Sequence, residues 1–161
     1  MATTNFSDKE ALMRLALSLA QENVRRGGGP FGAVIARGGE VIATGVNRVT
    51  AVHDPTAHAE VQAIRAAAAR LGTHDLSGCE IYASCEPCPM CLGAIYWARL
   101  SRLYYAATKD DAARAGFDDS LIYHELSLDA AARSLPSERL LPDEADGPFA
   151  AWRGQPDRKP Y

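Results

Sequence analysis

The chain has 161 residues, a net charge of −3 and an apolar fraction of 47%, which suits one soluble domain with a real core. No global basic field invites nucleic acid or an anionic membrane. The last third, 109–161, is more acidic still, with eleven acids against seven bases for a net of −4, a poor match for a polyanion.

The N-terminal residues Met1–Asn5 are polar, and Arg14 and Gln21 interrupt the first apolar stretch. No signal peptide and no membrane-length run is expected there, so the cytoplasm is the expected compartment. Ser7-Asp8-Lys9-Glu10 has the form of a capping box, and Leu12, Leu15, Ala16 and Leu19 follow at helical spacing. A helix from Asp8 to about Arg25 is predicted, stopped by Gly27-Gly28-Gly29-Pro30. Phe31–Arg37 and Val41–Val46, separated by Gly38-Gly39, read as a β-hairpin.

Asn47–Pro55 reads as a loop leading to a second helix, about Ala57–Leu71, which Asp54 or Thr56 would cap. Glu80–Ser84 is a strand after a connector. Pro89 suits the first position of a third helix running to about Arg99. Leu103–Ala107 reads as a buried strand. The alternation implies strands crossing over through helices, hence an α/β sheet covered on both faces. Beyond Lys109 the pattern is less regular: a helix near Ser120–Leu126, an undecided stretch at Leu135–Leu141, and an apolar Pro148–Trp152 segment. No linker or repeat divides the chain, so one domain is expected.

Four cysteines, three of them within 85–91, point to metal or reactive thiols rather than disulfides in a reducing compartment. His58-Ala59-Glu60 and Pro87-Cys88-Pro89-Met90-Cys91 place an imidazole, a carboxylate and two thiols in the H-x-E…P-C-x-x-C order of zinc-dependent nucleobase deaminases. Catalytic zinc takes three protein ligands and leaves a fourth position to water, and His58, Cys88 and Cys91 supply that number. Cys88 and Cys91, three apart, both fit the first turn of the third helix, where the dipole favours thiolates. Glu60, two residues past His58, sits beside such a site and suits a proton shuttle. Cys85-Glu86-Pro87-Cys88 is also a C-x-x-C, and a structural or redox pairing of Cys85 with Cys88 stands as an alternative. Cys85 and Cys79 are otherwise simple buried small residues.

At these residues the chain resembles the cytidine-deaminase-like superfamily. Gly29–Ile35, Asn47, Asp54–Val61, Ser84–Trp97, Ala115–Ser120, Trp152-Arg153 and Tyr161 are similar to its bacterial guanine deaminase branch, with the weakest likeness across 127–147. The resemblance implies a three-layer α/β/α sandwich around a central mixed five-stranded sheet. It implies one Zn2+ per subunit on His58, Cys88 and Cys91, with Glu60 shuttling protons and Asp119 assisting the departing amine. Phe31, Asn47 and Ala59 would bind a purine base. It also implies a homodimer that exchanges a C-terminal segment, about 109–161, so that Tyr161 closes the partner's pocket.

Each of these residues also has a plain structural reading. Asn47 is a natural turn residue, Phe31 a natural core residue, Asp118 and Asp119 natural helix caps, and Tyr161 an ordinary chain end. His53, His74 and His124 have no ligand-like company.

Overall fold

The computed structural model describes residues 9–161. The expected capping box at Ser7 lies outside the described residues. The chain divides into two compact units, one ending at Asp119 and one running from Ser120 to Tyr161.

In the first unit, α1 (Lys9–Arg25) is followed by β1 (Gly32–Arg37) and β2 (Glu40–Val46). A short helical turn α2 (Val49–Val52), α3 (Ala59–Leu71), β3 (Glu80–Cys85), α4 (Pro89–Trp97), β4 (Arg102–Ala107) and α5 (Lys109–Arg114) complete it. The sheet order is β2-β1-β3-β4. β1 is antiparallel to both β2 and β3, whereas β3 and β4 are parallel and joined through α4. The sheet is mixed, as expected, but it has four strands rather than five among the described residues. The chain after β4 turns at once into α5, whose first turn is locked by a reciprocal cap between Thr108 and Asp111. No strand follows β4 among the described residues.

β1 is buried on both faces, which explains its unbroken Gly-Ala-Val-Ile-Ala run. Ala33 and Ile35 pack with Ala59, Ala63 and Ala67 of α3 and with Ile95 of α4. Val34 and Ala36 point the other way, toward Leu12 and Ala16 of α1. Three layers follow from that alternation. α3 lies close to β2 because its buried apolar positions, Ala59, Ala63 and Ala67, are all alanine and its neighbour there is Gly45. A Cβ at Gly45 would collide with the main chain of Ala59 and Ala63. The start of α3, and with it His58, is thereby fixed against β2.

Three expectations change. Asn47–Pro55 is not all loop, since α2 occupies its middle and ends at His53 in a left-handed conformation (φ 52°). α3 begins at Ala59 with His58 as its cap residue, and neither Asp54 nor Thr56 caps it. Asp54 instead accepts from the Thr56 N–H and hydroxyl at 2.8 and 2.7 Å. β4 is not buried: it is an edge strand whose residues are exposed or half-buried. Tyr104 covers one side of it by stacking on Tyr82, with ring centroids 4.8 Å apart.

The second unit contains α6 (Ser120–Leu126), a 3-10 turn at Ala130–Ala132 and α7 (Gly147–Gly154). Leu135–Leu141, undecided from sequence, carries no regular structure, and no residue of this unit is buried. No helix among the described residues is long and apolar enough to cross a membrane.

Candidate active site

Two helix starts meet at the C-terminal end of β3. His58 is the cap residue of α3 and Cys88 the cap residue of α4, both extended at ψ 155° and 168°. Pro89 opens α4 and places Cys91 at its third helical position, so both thiols face the same side. Helix N-termini carry partial positive charge, which favours thiolate over thiol.

His58 Nδ1 lies 3.5 Å from Cys88 Sγ and 3.5 Å from Cys91 Sγ. All three donor atoms lie within 4.8 Å of one another, and theirs is the group among the described residues that could hold a metal. A tetrahedral zinc with N and S ligands at about 2.0 and 2.3 Å separates those ligand atoms by about 3.5 Å. The donors therefore already stand at the spacing the ion requires. Their chemistry agrees. The Cys88 thiol is pulled down to about 4, first by a hydrogen bond from Cys91 and then by the contact with His58. Cys91 is pushed up, chiefly by the same hydrogen bond to Cys88 and then by burial. Thiolate ligands bind a divalent cation by giving up their protons to it.

Cys85 stands apart from this triad. Its thiol donates to the Thr108 carbonyl at 3.6 Å, and burial raises its pKa to about 11. Cys79 is fully buried, and all four cysteines are free.

Glu60, at the second position of α3, is one of two buried polar residues among the described ones, 8% exposed. Burial raises its pKa, while a hydrogen bond with Cys91 opposes that shift. Ala59 beside it is also buried. Asp119, half-buried at the end of the first unit, is raised by partial burial and by the neighbouring negative charges of Cys88 and Asp118. It thus lies within electrostatic reach of the triad. Phe31 packs edge-to-face on Phe117, centroids 4.9 Å apart at 86°. Its carbonyl accepts from the Asn47 N–H at 3.2 Å, which joins two of the expected base-binding residues. Asn47 Oδ1 accepts from the Val49 N–H at 3.2 Å. Tyr161 belongs to the second unit and is 73% exposed.

Two contributors escape a reading by motif. Asn23, in the last turns of α1, donates from Nδ2 to the carbonyls of Gly29 and Asn47, both at 2.8 Å. The only hint in sequence is an amide just before a glycine run. Glu86 accepts from the Lys109 N–H at 2.9 Å, and the Glu86 N–H donates to the Ala107 carbonyl at 2.8 Å. Those two bonds tie the cysteine turn to the β4–α5 junction.

Residues 6–107 match the model of the cytidine and deoxycytidylate deaminase zinc-binding region. The chain belongs to this deaminase family. Along the deaminase, a guanine deaminase from Bacillus subtilis is 53% identical over 153 residues, covering 94% of this chain and 98% of the relative. An X-ray structure of guanine deaminase from that organism superposes with a TM-score of 0.93 at 52% identity, covering 96% of this chain and 99% of the other. A guanine deaminase from Nitrosomonas europaea superposes at 0.68 with 41% identity, over 70% of this chain and 65% of the other. A tRNA-specific adenosine deaminase from Aquifex aeolicus is 41% identical over 99 residues, 62% of this chain and 66% of the relative.

Proposed function

We propose that this deaminase hydrolyses guanine to xanthine and ammonia as a step of purine catabolism or salvage in the cytoplasm. The observation that carries this reading is the extent of the likeness. Similarity to the guanine deaminase from Bacillus subtilis runs through 94% of the chain, including the acidic tail, whereas that to the tRNA-specific enzyme spans 62%.

His58, Cys88 and Cys91 would hold one Zn2+ per subunit. Zinc, when bound, supplies a Lewis acid that lets water ionise near neutral pH. Glu60 takes a proton from the attacking water and passes it to the purine ring nitrogen beside the carbon under attack. That carbon becomes tetrahedral, the proton of its new hydroxyl passes to the exocyclic amine, the C–N bond breaks as the carbonyl forms, and ammonia leaves. Asp119 stands by the departing amine and shares that last transfer; partial burial and the neighbouring Cys88 charge raise its pKa. Phe31, braced by Phe117, lies against the base. Asn47 hydrogen-bonds its edge, and Ala59 takes part in binding it.

The working enzyme is a homodimer that exchanges a C-terminal segment within about 109–161, from Ser120 onward, and the whole chain acts as one deaminase domain. Burial supports this. No residue of 120–161 is buried, and Leu121, Leu126, Leu135, Leu140, Leu141 and Phe149 are each at least 60% exposed. Tyr96 and Trp97 of α4 are 76% and 67% exposed on a helix that is apolar all round. A second copy of the chain is the partner that covers such surface. Tyr161 then closes the partner's pocket.

The test is a panel of guanine, adenine, cytosine, cytidine and ammeline with zinc-loaded protein, followed by ammonia release and ultraviolet change. Guanine is expected to have the highest kcat/KM. Absence of guanine turnover with zinc bound overturns the reading. The ligand set is checked separately. Cys91→Ala is expected to strip most zinc from the purified protein by elemental analysis, whereas Cys85→Ala keeps the parent content. The reverse outcome would favour the Cys85–Cys88 pairing.

A further inference from the structure

We infer that Asn23 is a positioning residue for base recognition: it holds Asn47 and the segment before Phe31 in the arrangement that receives the substrate. This rests on the proposed reading of Asn47 and Phe31 as base-binding residues.

An amide nitrogen has two hydrogens and no more. Asn23 spends both on main-chain carbonyls 18 residues apart in sequence, Gly29 and Asn47, each at 2.8 Å. Both acceptors lie beside the base-binding residues, since Gly29 precedes Pro30-Phe31 and Asn47 is itself one of them. The same helix turn anchors the glycine run through its main chain, where the Gly28 N–H donates to the Asn23 carbonyl at 2.8 Å. The clasp has no slack. A Cβ at Gly28 would run into the Asn23 amide, and one at Gly29 would sit 3.0 Å from Asn47 Cγ. The Asn47 N–H then reaches the Phe31 carbonyl at 3.2 Å. Asn47 Oδ1 is taken up by the Val49 N–H, which fixes the direction of the side chain. Asn23 touches neither metal ligands nor Glu60, so its effect falls on where the base sits rather than on the proton transfers.

The test is a double-mutant cycle on the zinc-loaded enzyme with guanine: Asn23→Ala, Asn47→Ala and both together. Asn23→Ala is expected to raise KM about tenfold through the two lost hydrogen bonds. It should change kcat less than threefold at unchanged zinc content, and raise KM by clearly less than its single-variant factor in the Asn47→Ala background, where only the part acting through Gly29 and Phe31 remains. An unchanged KM in Asn23→Ala, or a double variant whose KM rise is the product of the two single rises, overturns the inference. Ala favours a helix, so α1 should persist. Should thermal melting show that it does not, Asn23→Gln enters the same cycle, since it keeps both N–H groups on a stem too long to reach the two carbonyls together. If the parent enzyme turns over another base of the panel and not guanine, the substrate reading fails on its own. The cycle is then run with that base.

Discussion

Glu60→Gln is expected to lower kcat by about two to four orders of magnitude while zinc content and fold stay as they are. The reasons are local. Glu60 is 8% exposed at the second position of α3, in a first turn clamped against Gly45 of β2. Gln has nearly the same shape, so packing against the sheet is kept, and its amide still fills the buried polar position. What it loses is the ability to accept a proton from water and deliver it to the ring. Because that transfer occurs only on the way through the reaction, KM should move far less than kcat. The metal triad does not depend on this side chain, since its donor atoms come from His58, Cys88 and Cys91. The measurement is steady-state kinetics with guanine beside elemental analysis and a thermal melt. A variant with near-parental kcat would remove Glu60 from the proton path. Loss of zinc together with rate would instead make it a support for the metal site.

The metal site was legible in sequence because its parts are local. His58 and Glu60 share one helix start, Cys88 and Cys91 another, and a proline marks where the second helix begins. Spacing along a helix carries over into space almost unchanged. The β1–β2 hairpin was legible for the same reason, with Gly38-Gly39 between two apolar runs. β4 was misjudged because an apolar run of five cannot tell an edge strand from a central one; only its single neighbour, β3, decides that. The four-residue α2 is too short to show a period. Asn23 was invisible on different grounds, since its meaning lies in two carbonyls brought to it by the fold. Phe117 likewise became informative only when its ring was found against Phe31.

Mixing Glu60→Gln with Tyr161→Ala, assayed at a guanine concentration far below the raised KM of Tyr161→Ala so that each variant alone is nearly idle, is expected to restore about a quarter of parental turnover after co-refolding. Tyr161 alone among the proposed site residues lies in the second unit, a stretch with no buried residue and many exposed apolar side chains. If that stretch docks on the partner, each pocket combines Glu60 of one subunit with Tyr161 of the other. Random pairing makes half the dimers hybrids. In a hybrid, the pocket built on the Tyr161→Ala subunit keeps its own Glu60 and receives an intact Tyr161, while the other pocket has lost both. Half the dimers with one good pocket in two gives the quarter. If Tyr161 instead served its own subunit, every pocket in the mixture would carry one defect and no activity would return. Tyr161→Ala should first show a raised KM and intact zinc by itself, because it removes a pocket wall and leaves the ligands and Glu60 untouched. Sizing chromatography of the parent then links the outcomes. A dimer with complementation supports exchange of the C-terminal segment, a dimer without it supports a dimer whose tails stay at home, and a monomer removes the shared pocket altogether.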